Sequence, residues 1–258
     1  MTLLHINRLS HYFGGLKAVD TFNLTLNEGE LIGLIGPNGA GKTTVFNLIT
    51  GAYQASEGQI LFRGEELIGK SPHAINRLGI SRTFQTIRLW NMMSVLDNVK
   101  VAHHNMISYN LAEVFLHLGR YRRQEQEIEA HAMDLLRLFK LERYAREPVK
   151  NLPYGEQRRV EIVRALASRP KLLLLDEPAA GMNPYEISAL LDFIQWIRDE
   201  FSLTICLIEH QMRLVMNICE RITVLDFGAT IAEGTPAEVR NNPQVIEAYL
   251  GEQTEEIL

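Results

Sequence analysis

The densest chemical signal in this chain is the run Gly36-Pro37-Asn38-Gly39-Ala40-Gly41-Lys42-Thr43-Thr44. Glycines at 36 and 41 followed by Lys-Thr satisfy the P-loop spacing. In such a loop successive backbone N–H groups point inward at a β-phosphate, and a helix N-terminus adds partial positive charge. Lys42 is then placed to bridge β- and γ-phosphate oxygens, the Thr43 hydroxyl to ligate Mg²⁺, and Thr44 to donate to the α-phosphate. Further along, Leu172-Leu173-Leu174-Leu175-Asp176-Glu177 reads as a buried strand ending in two carboxylates. Ligands of parallel sheets bind beyond the carboxyl ends of strands. Asp176 is placed there to hold Mg²⁺, largely through water, and Glu177 to orient or deprotonate an attacking water. Together these residues point to hydrolysis of a nucleoside triphosphate.

The elements that must position them follow from the pattern. Leu3 to Leu9 and Ala18 to Leu26 alternate as strands around Phe13-Gly14-Gly15, and Leu31 to Ile35 is a short buried strand running straight into the glycine loop. Val45, Phe46, Leu48 and Ile49 give the following helix its apolar face, and Gln59 to Phe62 reads as another strand. Ser71-Pro72 is an N-cap with proline at the first helical position. From about Leu89 to Lys150 the periodicity turns helical, which marks an insert. Within it, Gln124 to Glu129 reads as a solvated charged face, and His103-His104 as structural. The large apolar residues Leu89, Trp90, Met92, Met93 and Leu96 open that insert. They fit either core packing or a groove for a partner's helix. The α/β rhythm then resumes, with a helix near Glu156 to Ala167 and strands at Lys171 to Leu175 and Leu203 to Ile208. A helix follows near Gln211 to Cys219, then a hairpin from Ile222 to Ala232 turning at Phe227-Gly228, and a capping box at Thr235. Alternating strands and helices imply a mainly parallel sheet covered on both faces.

Composition narrows the function. The 258 residues carry 26 Lys+Arg against 31 Asp+Glu, a net charge of −5, which argues against a surface built to neutralise nucleic acid. With 46% apolar and 22% charged residues the chain is an ordinary globular one. No aliphatic run approaches the ~18 residues of a membrane span. The N-terminus lacks the pattern of an export signal. Cys206 and Cys219, without Cys-x-x-Cys spacing, fit core positions in a reduced cytoplasm.

With these pieces in order the sequence resembles the ATP-binding-cassette family over essentially its whole length. Gln85, in Arg82-Thr83-Phe84-Gln85, matches the glutamine loop that touches Mg²⁺ and the attacking water. Leu152-Pro153-Tyr154-Gly155-Glu156-Gln157 stands where the family signature Leu-Ser-Gly-Gly-Gln precedes a helix. Ala180-Gly181-Met182-Asn183 stands where a loop crosses the dimer interface, and Asn183 can also cap a helix opened by Pro184. His210, in Ile208-Glu209-His210, matches the switch histidine, and Phe13 of Tyr12-Phe13 is the aromatic that stacks on adenine.

The resemblance implies a P-loop NTPase with a RecA-like α/β core, an antiparallel β subdomain and an inserted α-helical subdomain. The implied ranges are approximately 1–88 with 160–258 for the core and 89–159 for the helical part. It implies ATP and Mg²⁺ as ligands. It also implies a dimer in which the signature of one cassette faces the γ-phosphate held by the P-loop of the other. Serine is replaced by Pro153 here, so one γ-phosphate donor is missing. The composite site that this signature completes is therefore expected to be the weaker of the two.

Within that family the chain is most similar to the ATPases of branched-chain amino-acid importers. The similarity rests on Phe13-Gly14-Gly15-Leu16, Gly79 to Gln85, Tyr154 to Arg159, Asp176 to Pro184, and the tail from Arg240-Asn241-Asn242-Pro243 to Tyr249-Leu250-Gly251. It implies a second cassette subunit (LivF-like) or a second copy of this chain. It further implies two transmembrane permease subunits and, indirectly, an extracytoplasmic amino-acid-binding protein, with this chain peripheral on the cytoplasmic face of the membrane and no nucleic-acid partner. Two rival readings are a soluble cassette ATPase acting on nucleic acid or ribosomes and a regulatory ATP-binding module. The chain lacks the long coiled-coil insertion or second cassette of the former, and Glu177 and His210 speak against the latter.

Overall fold

The computed structural model describes residues 1–103, 107, 109, 111–115 and 119–255. His104 therefore lies outside the described residues. In chain order the elements begin with β1 (Thr2–Phe13), β2 (Leu16–Asn27) and β3 (Leu31–Ile35), then α1 (Lys42–Ile49), β4 (Glu57–Phe62), β5 (Glu65–Glu66), α2 (Pro72–Leu78) and β6 (Ile80–Arg82). A run of helices follows: α3 (Val95–Val101), α4 (Leu111–Phe115), α5 (Gly119–Leu138) and α6 (Tyr154–Ala167). The chain continues with β7 (Leu172–Asp176), α7 (Pro184–Phe201), β8 (Thr204–Ile208), α8 (Met212–Ile218), β9 (Arg221–Asp226), β10 (Ala229–Gly234), α9 (Pro236–Arg240) and α10 (Pro243–Glu255). Contacts divide it into two compact units, Met1–Gln85 with Lys171–Leu258, and Thr86–Pro170. Helix α6 runs unbroken through position 159 and belongs whole to the second unit.

The first unit contains two sheets. One is antiparallel, in the order β2-β1-β4-β5, and the other runs β10-β9-β3-β8-β7-β6. In the second sheet only the β9–β10 hairpin is antiparallel, and β3, β8, β7 and β6 lie parallel to their neighbours. Every residue of β3, β7 and β8 is buried. That is why these strands read as continuous apolar runs and not as alternation. The short β6, without a long apolar run of its own, is recruited by pairing Ile80 to Leu172 and Arg82 to Leu174. Side chains set several helix starts. Asn183 accepts from the N–H groups of Tyr185 and Glu186 while Glu186 accepts from the Asn183 N–H, and Thr235 with Glu238 repeats the arrangement. Both cysteines are free and buried, and burial pushes the Cys206 thiol up to about 12.

The second unit is helical, with α3 and α5 packed on α6. His103 is buried there, its Nε2 against His131 Nδ1 and its Nδ1 3.1 Å from the Val99 carbonyl. Burial holds both imidazoles below the usual histidine range. The apolar run that opens the insert divides: Leu89 is buried, whereas Trp90 and Met92 are 49% and 75% exposed. Asn98, fully buried, accepts from the Trp90 N–H and donates to the Trp90 and Ser94 carbonyls, so it fixes the loop that presents Trp90. The Arg164 guanidinium lies 5.3 Å from the Trp90 ring centroid.

Helix α6 starts two residues before the helix expected near Glu156. Pro153 has φ −54° and ψ 150° and is the N-cap, so the helix begins at Tyr154. Leu152, the residue before proline, is held extended at ψ 148°. Inside α6, Arg158 and Glu161 pair at 2.7 Å with side chains 0% and 1% exposed. Glu161 also accepts from the Arg88 N–H. Removing one partner of such a pair strands a buried charge. Glu161→Ala should therefore lower stability by about 3–5 kcal/mol, and the double change Arg158→Met/Glu161→Leu should recover most of it. Urea unfolding of the three proteins checks this.

Candidate functional site

The strand ends build the site. Leu34 of β3 pairs with Ile208 of β8, and Ile208 pairs with Asp176 of β7. The segments that follow, starting at Gly36, Glu177 and Glu209, therefore leave the sheet side by side. Strand β6 stops two residues lower, and the Thr83 N–H continues its ladder to the Leu174 carbonyl. This offset lets Gln85 rise to the level of Glu177.

The glycine loop is shaped by close backbone contacts. A Cβ on Gly36 would sit 2.0 Å from the Leu225 carbonyl oxygen, and one on Gly41 2.4 Å from that of Ala18. Gly41, at φ 99°, is the N-cap of α1 and offers no capping side chain. The N-terminal end of that helix, with its partial positive charge, thus faces the loop without a side-chain oxygen in front of it. Lys42 is buried, with Nζ donating to the Gly36 and Pro37 carbonyls at 2.6 and 2.7 Å. Thr43 is exposed and Thr44 half-buried on the first turn of α1. Pro37, Asn38, Gly39 and Ala40 also line an open cavity with Asp226, Phe227, Gln244 and Glu247.

Beyond β7, Glu177 takes a left-handed φ of 45°, which a non-glycine residue adopts only under constraint. Its N–H is pinned to the Ile208 carbonyl at 2.9 Å, and its carboxylate meets two of the expected residues. Gln85 Nε2 donates to Glu177 Oε2 at 2.6 Å, and His210 Nδ1 lies 3.7 Å from the same oxygen. The three residues read as catalytic from sequence are thus gathered at one carboxylate oxygen. Water held against that carboxylate would meet a base flanked by an amide and an imidazole.

Asp176 is buried, and its Oδ2 accepts from Arg82 Nη2 at 2.6 Å. The set proposed for a metal is one hydroxyl (Thr43), one amide oxygen (Gln85) and one carboxylate (Asp176). Gln85 places its amide nitrogen on Glu177, beside the strand end that carries Asp176. Among the described residues no cluster of three His, Cys, Asp or Glu is able to hold a metal ion by itself. Hard oxygen donors with a single carboxylate suit Mg²⁺, which retains waters and takes phosphate oxygens from its nucleotide. The residues fit that ion.

Phe13 closes β1, 44% exposed, with its ring 4.6 Å from that of His11 and 5.3 Å from that of Tyr53, edge to face in both cases. Tyr12 is instead crossed by Lys17. The signature residues belong to the second unit. Gln157 Nε2 donates to the Leu152 carbonyl, Glu156 pairs with Arg159, and Pro153 caps α6 without a side-chain bond.

Three residues escaped the sequence reading. Arg82 donates to Asp176 and to Asn47, and Glu209 is fully buried with Oε1 accepting from the Ala179 N–H at 2.9 Å. Arg82 and Glu209 stand inside quoted motifs, but each was passed over for the neighbour that matched.

Burial pushes the Glu209 carboxyl above its ordinary range, and the Ala179 N–H opposes that shift. A carboxyl raised in the folded state contributes stability that is complete below its unfolded pKa and is lost as pH rises through the folded one. Glu209→Gln keeps the acceptor for Ala179 and removes the titration. Its melting temperature should gain on that of the wild type as pH is raised from 4.5 to 8, and a constant difference across that range would contradict the assignment.

Comparisons agree on one family. The family described as ABC transporter matches residues 19–180, and that described as branched-chain amino acid ATP-binding cassette transporter matches residues 229–255. The chain is 45% identical over 250 residues to the high-affinity branched-chain amino acid transport ATP-binding protein BraF of Pseudomonas aeruginosa, covering 97% of this chain and 98% of that protein. It is 46% identical, with the same coverage, to LivG of Escherichia coli K12, which carries the same description. Among solved structures, a nucleotide-free ATP-binding cassette from an ABC transporter superposes with a TM-score of 0.84 at 32% identity, over 96% of this chain and 99% of that one. The ADP conformation of the cassette MJ1267 gives a TM-score of 0.84 at 30% identity, over 97% and 99%.

Proposed function

We propose that this chain, which belongs to the ABC transporter family, is the ATP-binding and ATP-hydrolysing subunit of an importer for branched-chain amino acids. The observation that supports hydrolysis, and not binding alone, is the contact of Gln85 with the Glu177 carboxylate, with His210 beside the same oxygen. The solute class rests on the relatives and on the match of the tail at residues 229–255. In this reading Phe13 stacks on adenine. The backbone N–H groups from Gly36 to Thr44 surround the phosphates, and Lys42 exchanges the Gly36 and Pro37 carbonyls for phosphate oxygens. Thr43, Gln85 and Asp176 would hold Mg²⁺, which when bound supplies charge neutralisation at the β- and γ-oxygens. Glu177 accepts the proton of the attacking water, Gln85 orients that water, and His210 flanks the carboxylate.

The signature, Leu152 to Gln157, acts on the nucleotide of a second cassette, either a related subunit or a second copy of this chain. Two transmembrane permease subunits complete the assembly, with an extracytoplasmic binding protein delivering solute. Among the described residues no helix is long and apolar enough to cross a membrane. In this reading the chain sits at the cytoplasmic face, where the exposed Trp90 and Met92 offer the permease an adaptable apolar contact.

Two measurements test the reading. In the purified assembly, ATP hydrolysis should rise when the binding protein is loaded with leucine, isoleucine or valine. Glu177→Gln should cut turnover by ~100-fold or more while ATP still binds. An assembly whose Glu177→Gln form hydrolyses ATP normally, or which ignores those amino acids, would overturn it. Pro153→Ser restores a donor worth about 1.5–3 kcal/mol toward a charged oxygen and should raise turnover at the site it faces by about tenfold. Unchanged single-site turnover would remove Pro153 as a cause of asymmetry.

A further inference from the structure

Arg82 ends β6 with its guanidinium inside the protein. Its side chain is 5% exposed and that of Asp176 is 4% exposed. Nη2 donates to Asp176 Oδ2 at 2.6 Å, and Nη1 donates to Asn47 Oδ1 of α1 at 2.7 Å. The guanidinium carbon lies 5.4 Å from the Phe46 ring centroid and 5.0 Å from that of Phe84. One cation thus joins the strand end that carries Asp176, the helix that carries Lys42 and the strand that leads to Gln85. Its Nε makes no hydrogen bond within the protein, so Asp176 and Asn47 are what aim the guanidinium. Stability alone is a weak reason for this arrangement, because apolar residues of similar volume commonly replace a buried ion pair without loss.

We propose that Arg82 is a positioning residue that acts as the standing counter-charge of Asp176, fixing one carboxylate oxygen and cancelling its repulsion of nucleotide phosphates whether or not a metal accompanies them. The inference rests on ATP being the ligand of this P-loop. Its sign follows from charge. Without Arg82, Asp176 confronts the polyphosphate as an uncompensated anion that only Mg²⁺ can screen. Metal-free nucleotide then loses affinity while the magnesium complex is largely spared.

The test uses the full chain and a fluorescent trinitrophenyl derivative of ATP, titrated once in excess Mg²⁺ and once in EDTA. The quantity read is the ratio of the dissociation constant in EDTA to that in Mg²⁺. Arg82→Met should raise this ratio about tenfold, whereas Arg82→Lys, which keeps the charge, should stay close to the wild type. In an Asp176→Asn background Arg82→Met should leave the ratio unchanged, because the anion it compensates is gone. If circular dichroism shows Arg82→Met unfolded, Arg82→Gln, which retains donors for Asp176 and Asn47 without the charge, takes its place with the same expected ratio. Equal weakening in both buffers, or an effect that persists with Asn at 176, would overturn the proposal and assign Arg82 to packing between Phe46 and Phe84. A wild type that binds the probe in neither buffer would instead overturn the ATP reading, and this inference with it.

Discussion

Three adjacent parallel strands that finish within one residue of one another are the constraint from which the rest of the site follows. Leu34, Ile208 and Asp176 stand in one row across the sheet. The Glu177 and Glu209-His210 segments therefore begin level with each other and the glycine loop one residue higher. Sliding any one of these strands by a residue would turn its buried side chains to the wrong face. Since β3, β7 and β8 are buried throughout, the cost of such a slip falls on the whole core. The left-handed turn at Glu177 depends on the same row. Its N–H is tied to Ile208, and the strained φ swings the carboxylate across toward Gln85 and His210.

The glycine loop is held from behind as well as from below. The turn of the β9–β10 hairpin lies against it, with the Gly228 N–H donating to the Ala40 carbonyl and the Gly228 carbonyl accepting from the Asp20 N–H. Gly36 passes so close to Leu225, and Gly41 so close to Ala18, that no side chain fits at either position. The loop conformation is thus a tertiary product of β2, β9 and the hairpin turn together. Its glycines are needed for those approaches as much as for the dihedral angles they permit.

This explains which features could be read from the sequence. The strand, glycine loop and helix from Leu31 to Ile49 were legible because hydrophobic run, turn chemistry and helical periodicity agree locally. The capping residues Ser71, Asn183 and Thr235 were legible because a cap is decided within four residues. The three-residue β6 carried no pattern of its own, and its strand state comes from pairing with β7, remote in sequence. Arg82 and Glu209 escaped for a related reason. A buried charge announces itself only through the partner that the fold supplies, and those partners, Asp176 and Ala179, lie 94 and 30 positions away.

The helix starts carry the argument one step further. Side chains cap α2, α3, α7 and α9, through Ser71, Ser94, Asn183 and Thr235. Gly41, Pro153 and Gln211, which precede α1, α6 and α8, make no such bond. These three helices open directly after the glycine loop, within the signature and directly after His210, the segments read as facing nucleotide. An N-terminus without a capping side chain keeps its partial positive charge uncompensated by a local side-chain oxygen, which suits a phosphate. Supplying a capping oxygen at those positions would stabilise the helix locally and place a competing acceptor where an anion is meant to bind. The missing caps are therefore consistent with one division of labour, in which helices of the frame are closed by their own side chains and helices of the site are left for the nucleotide to close.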